Sequence, residues 1–153
     1  MVKAKFLHGS EDISKCIEIR RRVFVEEMGI AEVLEFDGDD ERAFHVVAET
    51  SDGLVGTLRL LFEMNGSVKI GHFAVLNKVR GEGIGDMLIR MALNKISNVE
   101  CEKVIVNAVA DKRGFYEKYG FKSVPEPNFD YGHERYIMEL KREDINLAGS
   151  CRK

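Results

Sequence analysis

An apolar stretch that runs into a glycine-rich loop and then into an amphipathic helix leaves a chain few ways to fold. Here the stretch is Ile70-Gly71-His72-Phe73-Ala74-Val75 and the loop is Arg80-Gly81-Glu82-Gly83-Ile84-Gly85. Beyond it Ile84, Leu88, Met91, Ala92 and Ile96 recur on one helical face. A strand therefore hands the chain to a helix N-terminus through a loop whose glycines allow close backbone approach. The first amides of a helix have no partner inside it, and its dipole adds partial positive charge there. With Arg80 at the mouth, the arrangement describes an anion site. The plainer alternative is a loop whose glycines serve only to turn the chain.

The commoner nucleotide loops do not fit. A P-loop ends in Gly-Lys-Ser/Thr, whereas Gly85 is followed by Asp86 and Met87. A dinucleotide fingerprint needs a third glycine where this chain has Asp86, and it opens a βαβ unit rather than following several strands. What remains is a pyrophosphate loop of different spacing.

Elsewhere the pattern alternates between strand and helix. Val2 to Leu7 reads as a strand, and Ser10 is placed to cap a helix carrying Ile13, Cys16, Ile17 and Phe24. Glu32 to Glu41 reads as an acidic, irregular connection. Ala43 to Thr50 and Leu54 to Phe62 form a hairpin about Ser51-Asp52-Gly53, and Asn65-Gly66 turns into a strand from Ser67 to Leu76. Val104 to Val109 reads as a buried strand. Asp111 is placed to cap a short helix that Gly120 ends, and Phe121 to Val124 and Arg135 to Leu140 close the fold. The expectation is a mixed α/β sheet with helices on both faces, in one domain over residues 1–153, with a frayed polar tail over 143–153.

Composition narrows the function. A net charge of −3 gives no basic face for nucleic acid or for an anionic membrane surface. The most apolar run, Leu54 to Phe62, is broken by Gly56 and Arg59 and falls well short of the roughly 20 residues of a membrane span. Met1 to Ser10 lacks a signal peptide's apolar core, so the cytoplasm is the expected compartment. Cys16, Cys101 and Cys151 have neither zinc nor disulfide spacing and are expected to be structural or idle. An EF-hand counted from Asp37 would place Arg42 where glycine is required and Ala48 where glutamate is required, so no metal is expected. Nothing here chooses between monomer and homodimer.

The loop Arg80-Gly81-Glu82-Gly83-Ile84-Gly85 resembles the R/Q-x-x-G-x-G/A signature of the GNAT superfamily of N-acetyltransferases. Phe115-Tyr116-Glu117-Lys118-Tyr119-Gly120-Phe121 resembles that superfamily's second signature, F/L-Y-x-x-x-G-F, in the expected order. Arg20-Arg21-Arg22-Val23-Phe24-Val25-Glu26-Glu27, then Glu35-Phe36-Asp37-Gly38-Asp39-Asp40 and His45, are similar to the small ElaA-like branch. Two departures stand out. Val109 replaces the Asn or Gln that relatives carry seven residues before the helix tyrosine, and Gly132-His133-Glu134-Arg135 replaces the branch's Gly-Ile-Pro-His ending.

The resemblance implies a mostly antiparallel sheet, splayed at the cofactor site, and acetyl-CoA as co-substrate. It implies that the backbone of Phe73, Ala74 and Val75 pairs with the pantetheine arm, and that Arg80, Gly81, Glu82, Gly83, Ile84 and Gly85 hold the pyrophosphate. It further implies direct attack by an amine of a small molecule or peptide. Tyr116 is the candidate proton donor to the departing thiolate; Phe115 and Tyr119, four apart, share the buried stripe instead. Glu35, Asp37, Asp40 and His72 are candidates for the base. Arg20 lies at helical spacing from Ile17 and Phe24 on a face that should be apolar, so it needs a partner, and Glu35 or Asp37 is expected to supply it. With Arg20 as anchor, the remaining acids of the 32–41 run are expected to meet a cationic acceptor. Two rival readings are an enzyme like the acyl-homoserine-lactone synthases and a non-catalytic acyl-CoA-binding module.

Overall fold

The structure is a computed structural model that describes residues 1–147, so Cys151 and most of the expected tail lie outside the described residues. The chain forms a mixed α/β fold, as the alternating pattern predicts, and divides into two compact units. The first comprises residues 1–61 and 70–92, and the second residues 62–69 with 93 onward.

In the first unit the strands β1 (Lys3–His8), β2 (Phe44–Thr50), β3 (Gly53–Phe62) and β4 (Ser67–Val75) follow one another across the sheet. β1 and β2 are antiparallel from Lys3↔Glu49 to His8↔Phe44. β2 and β3 pair from Phe44↔Leu60 to Thr50↔Gly53, with a bulge between Ala48 and Glu49. The two-residue link Ser51-Asp52 and the left-handed Gly53 make this the expected tight hairpin. Val46, Val47 and Ala48 are all fully buried, so consecutive residues of β2 bury both of its faces. Leu58, Leu60, Leu88 and Ile89 complete this core.

The first helix differs from the expected one. Ser10 caps nothing; its amide bonds the His8 ring, and Asp12 instead accepts from the Ser14 amide. The helix α1 therefore spans Ser14–Arg20 and widens into a π-helical stretch over Arg21–Glu27, where the Met28 amide reaches back five residues to Val23. Its buried residues are Cys16, Ile19, Arg20 and Val23, while Ile17 and Phe24 are only half-buried. The acidic connection is not wholly irregular. Glu32–Glu35 forms one short helix, α2, and Asp40–Arg42 a single 3₁₀ turn. The helix α3 runs over Ile84–Ser97 as predicted, with Ile84, Leu88, Ala92 and Ile96 buried.

In the second unit β8 (His133–Lys141) pairs antiparallel with β5 (Lys103–Val109), β6 (Lys122–Ser123) and β7 (Asn128–Asp130). β5 alternates rather than burying throughout, with Val104, Val106 and Ala108 buried and their neighbours half-buried. β7 escapes prediction because Pro125 and Pro127 precede it and its Phe129 is exposed. Asp111 caps no helix; a 3₁₀ turn over Ala110–Lys112 leads into α4 (Arg113–Glu117), and the left-handed Gly120 ends that segment as expected. The start of the expected tail is held, because Arg142–Asp144 forms a turn and the Arg142 guanidinium donates to the carbonyls of Ser97 and Val99. Among the described residues no helix is long and apolar enough to cross a membrane.

One contact in the first unit sets the course of the acidic segment. The Gly9 amide donates to the Ala43 carbonyl at 2.8 Å, and a Cβ on Gly9 would collide with the Asp40 carbonyl and stand 2.6 Å from that of Glu41. Backbone, not a yielding side chain, occupies the space. Gly9→Ala is expected to destabilise the protein by about 1–3 kcal/mol, the range of an overpacked core. That loss lowers the melting temperature by several degrees. A thermal melt unchanged by the substitution would show that residues 40–41 are free to move away.

Candidate functional site

The glycine loop leads from β4 to α3, the order the sequence predicts. Gly81 and Gly83 both adopt left-handed φ, +84° and +82°, and no atom lies within 4 Å of where a Cβ would stand on either. Such a backbone favours glycine, and the open side leaves the loop's amides approachable. The Gly83 carbonyl accepts the Met87 amide at 3.0 Å, so α3 begins within the loop and presents its unpartnered first-turn amides there. These features fit a pyrophosphate.

Arg80 plays a different part from a free charge at the mouth. Its Nε donates to the Val75 carbonyl at 2.9 Å, tying the end of β4 to the start of the loop. Both terminal nitrogens bond the Glu27 carboxylate, at 2.6 and 2.9 Å, and hold that carboxyl below its ordinary value. Arg80 thus braces strand, loop and π-helical turn together, and its charge is answered by Glu27. Glu27 belongs to the stretch that resembles the ElaA-like branch, but nothing in its spacing marks it as a partner of Arg80.

The candidates on the acceptor side converge. Arg20 is fully buried; its Nε donates to Glu35 at 2.8 Å, its Nη1 to Asp40 at 2.7 Å and its Nη2 to the Glu35 carbonyl at 3.0 Å. Glu35 is thus the expected partner, with Asp40 in place of Asp37. The same Glu35 oxygen bonds His72 Nδ1 at 2.6 Å. Asp37 is held by a residue that sequence reasoning did not assign, Arg59 of β3, through both carboxylate oxygens at 2.9 Å. A third bond joins Arg59 to Asp40 at 3.2 Å. The sole signal for Arg59 is a guanidinium interrupting the apolar run of β3. His45 is also buried, and its Nε2–H donates to the Asp40 carbonyl at 3.1 Å.

The acidic run is therefore largely answered from within. Arg20, Arg59, Arg21 on Glu32 and Arg42 on Asp39 all bond carboxylates of the run. The expectation that the acids left over by Arg20 face an acceptor is corrected: Glu35 and Asp40 are consumed in the cluster, and Asp37, though its side chain is 29% exposed, is bidentate on Arg59. The Arg59 guanidinium holds the Asp37 carboxyl well below the usual carboxylate range. For Asp40 burial works upward, but Arg20 and Arg59 outweigh it and keep it low. Burial pushes the His45 imidazole below its ordinary value and the Cys16 thiol above its own. Cys16 is accordingly inert, in keeping with a structural role.

In the second unit Tyr116 is 7% exposed, its ring edge-on to Phe115 at 5.2 Å and to Phe121 at 5.6 Å. Phe115 and Tyr119 pack as predicted, with centroids 5.5 Å apart. Burial raises the Tyr116 phenol above its ordinary value, so it stays protonated at working pH. Asn107 and Asn128 exchange side-chain amide bonds at 2.9 and 3.1 Å between β5 and β7.

The Arg59 cluster yields a stability test. Arg59→Met leaves Asp37 without its partner and Asp40 with one partner fewer, and removing one member of such a buried pair costs about 3–5 kcal/mol. Asp37 and Asp40 have folded-state values below 3.8, so their contribution is complete above that value and is lost as pH falls beneath it. Urea unfolding is expected to show the full penalty at pH 7 and a smaller one near pH 3.5, where a carboxyl can protonate instead. An equal penalty at both values would place the stabilisation elsewhere.

A family model described as an acetyltransferase (GNAT) domain matches residues 10–142. The chain is 24% identical over 128 residues to the uncharacterised N-acetyltransferase YjcF of Bacillus subtilis (strain 168), covering 84% of this chain and 91% of that one. Among solved structures it is similar to an acyl-CoA N-acyltransferase from Pseudomonas aeruginosa, with TM-score 0.82, 26% identity and coverage of 91% and 99%. It is likewise similar to Escherichia coli ElaA, with TM-score 0.81, 27% identity and coverage of 90% and 98%. A matched strand–loop–helix anion site and a family match across almost the whole chain point the same way: this protein belongs to the GNAT family of acyl-CoA-dependent acetyltransferases.

Proposed function

We propose that the protein transfers an acetyl group from acetyl-CoA to a primary amine of a small molecule or peptide, by direct attack of the amine on the thioester. The observation that carries this reading is the loop in which two left-handed glycines open α3 with their free side exposed. In this reading the amides of residues 81–85 meet the pyrophosphate, and Arg80 braces the loop. A related GNAT acetyltransferase from Elizabethkingia anophelis has been solved with acetyl-CoA bound, at 18% identity and TM-score 0.69. The backbone of Phe73, Ala74 and Val75 pairs with the pantetheine arm, and one of its N–H groups stabilises the oxyanion. The Val75 carbonyl already accepts from Arg80. Arg20, Glu35, Asp37, Asp40 and His72 form the acceptor side. Tyr116 supplies the thiolate's proton; burial keeps its phenol protonated before the transfer.

Two measurements test this. Acetyl-CoA at 100 times its dissociation constant is expected to stabilise the protein by roughly 2.7 kcal/mol, a rise of several degrees in melting temperature. Gly83→Val puts a branched side chain on the open face and on a φ of +82°, so the ligand-induced rise is expected to vanish. A rise of wild-type size in that variant would move the pyrophosphate elsewhere. Tyr116→Phe keeps the ring packing and removes the hydroxyl. Turnover of acetyl-CoA with an accepted amine is expected to fall by about two to four orders of magnitude with little change in CoA affinity. Wild-type turnover would leave Tyr116 as a core aromatic.

A further inference from the structure

An amine that arrives protonated must lose a proton before it can attack, and four groups of the acceptor side are chemically able to take it: Glu35, Asp37, Asp40 and His72. Their surroundings separate them. Glu35 has a side chain only 5% exposed, and one of its oxygens already accepts from both Arg20 and His72. Asp40 has one oxygen shared by Arg20 and Arg59. Asp37 has both oxygens on Arg59 and is held too acidic to draw a proton from an ammonium. His72 differs. Its Nδ1 is engaged with Glu35 at 2.6 Å, while its Nε2 lies 3.6 Å from the nearest carboxylate oxygen, Asp37 Oδ2, beyond hydrogen-bond reach.

The backbone adds an independent observation. His72 sits within β4 at φ +48°, one of only two residues other than glycine at positive φ among the described residues. A left-handed residue inside a strand breaks the alternation of side chains and is strained. Such departures concentrate where function requires a side chain to be re-aimed. His72 also immediately precedes Phe73, where the proposed pantetheine-pairing backbone begins.

We infer that His72 is the general base of the reaction, with Glu35 as the positioning residue that keeps the proton on Nδ1 and leaves the Nε2 lone pair for the substrate. The inference rests on the proposed amine acetylation. Nε2 takes one proton from the ammonium and becomes the second N–H of an imidazolium. The neutral amine attacks the thioester carbonyl, the C–N bond forms, and the C–S bond breaks as the tetrahedral adduct collapses. The nitrogen's surplus proton and the thiolate together balance as amide and free thiol, and the imidazolium returns its proton to water. Arg20 and Arg59 hold the two carboxylates nearest the ring, Glu35 and Asp37, and the Phe24 ring stands edge-on to it at 6.4 Å.

His72→Asn is the informative variant. Asparagine tolerates left-handed φ and can still donate to Glu35, but it has no titratable lone pair. With spermidine, free lysine and a short peptide as acceptors, and free thiol as readout, kcat/KM is expected to fall about 10²–10⁴-fold near neutral pH. The deficit is expected to shrink as pH rises and the amine arrives neutral, while the melting shift with acetyl-CoA stays that of wild type. A wild-type rate, or a deficit equal at every pH, overturns the inference and leaves the acetylation reading intact. No turnover by the wild type overturns both. A readout independent of turnover is the ¹⁵N spectrum of the wild-type imidazole. A protonated Nδ1 with a bare Nε2 at pH 8 is expected. A ring still doubly protonated at pH 9, or the opposite tautomer, overturns the assignment whatever the kinetics.

Discussion

A guanidinium taken wholly out of water must be answered by acceptors on every side, and Arg20 imposes that requirement on the first unit. Its three donor nitrogens reach Glu35, the Glu35 carbonyl and Asp40, while its face covers the Phe36 ring at 5.1 Å. These bonds turn an acidic stretch with little apolar content into an ordered one. Asp40 then fixes the 3₁₀ turn, whose carbonyl receives the His45 ring and against which Gly9 closes. A buried ion pair is poor evidence for net stability, since a well-packed apolar replacement can do as well. What the pair secures is geometry. Without Arg20, neither α2 nor the segment to Arg42 has an apolar reason to lie where it does.

Much of this could be read in advance, for identifiable reasons. An arginine on the apolar face of a helix has to find a carboxylate, so spacing alone linked Arg20 to the acidic run. It named Glu35 or Asp37 and missed Asp40, because the connection's short helical turns set which carboxylate comes round to α1. Arg59 went unassigned because a lone charge in an apolar strand reads locally as an interruption; its meaning depends on pairing across β2, which places His45 opposite it. The first helix began three residues late because the His8 ring and Asp12, not Ser10, took the available amides. β7 eluded the pattern because a three-residue strand with an exposed phenylalanine carries too little periodicity.

The glycine loop shows how far a signature carries geometry. Residue types at fixed spacing anticipated a glycine loop that leads into α3. They did not anticipate that the signature arginine would fold back onto Val75 and Glu27. A guanidinium bound bidentately to a carboxylate presents little net charge to an approaching anion. In the proposed reading the loop would therefore meet phosphate with backbone amides and the helix dipole, which are fixed in direction and need no reorganisation.

Acetylation of a protonated amine asks for two proton transfers of opposite sense, and environment can assign them without unusual residues. A phenol buried among Phe115 and Phe121 is held in its protonated form, so in the proposed reaction it can only give a proton, not take one. An imidazole whose Nδ1 is bonded to a carboxylate has its tautomer chosen for it, which suits an acceptor at Nε2. Glu35 is itself held in place by Arg20, which donates to the same oxygen that bonds the ring. The requirement that begins with a buried guanidinium thus reaches, through one shared oxygen, the ring proposed as the base.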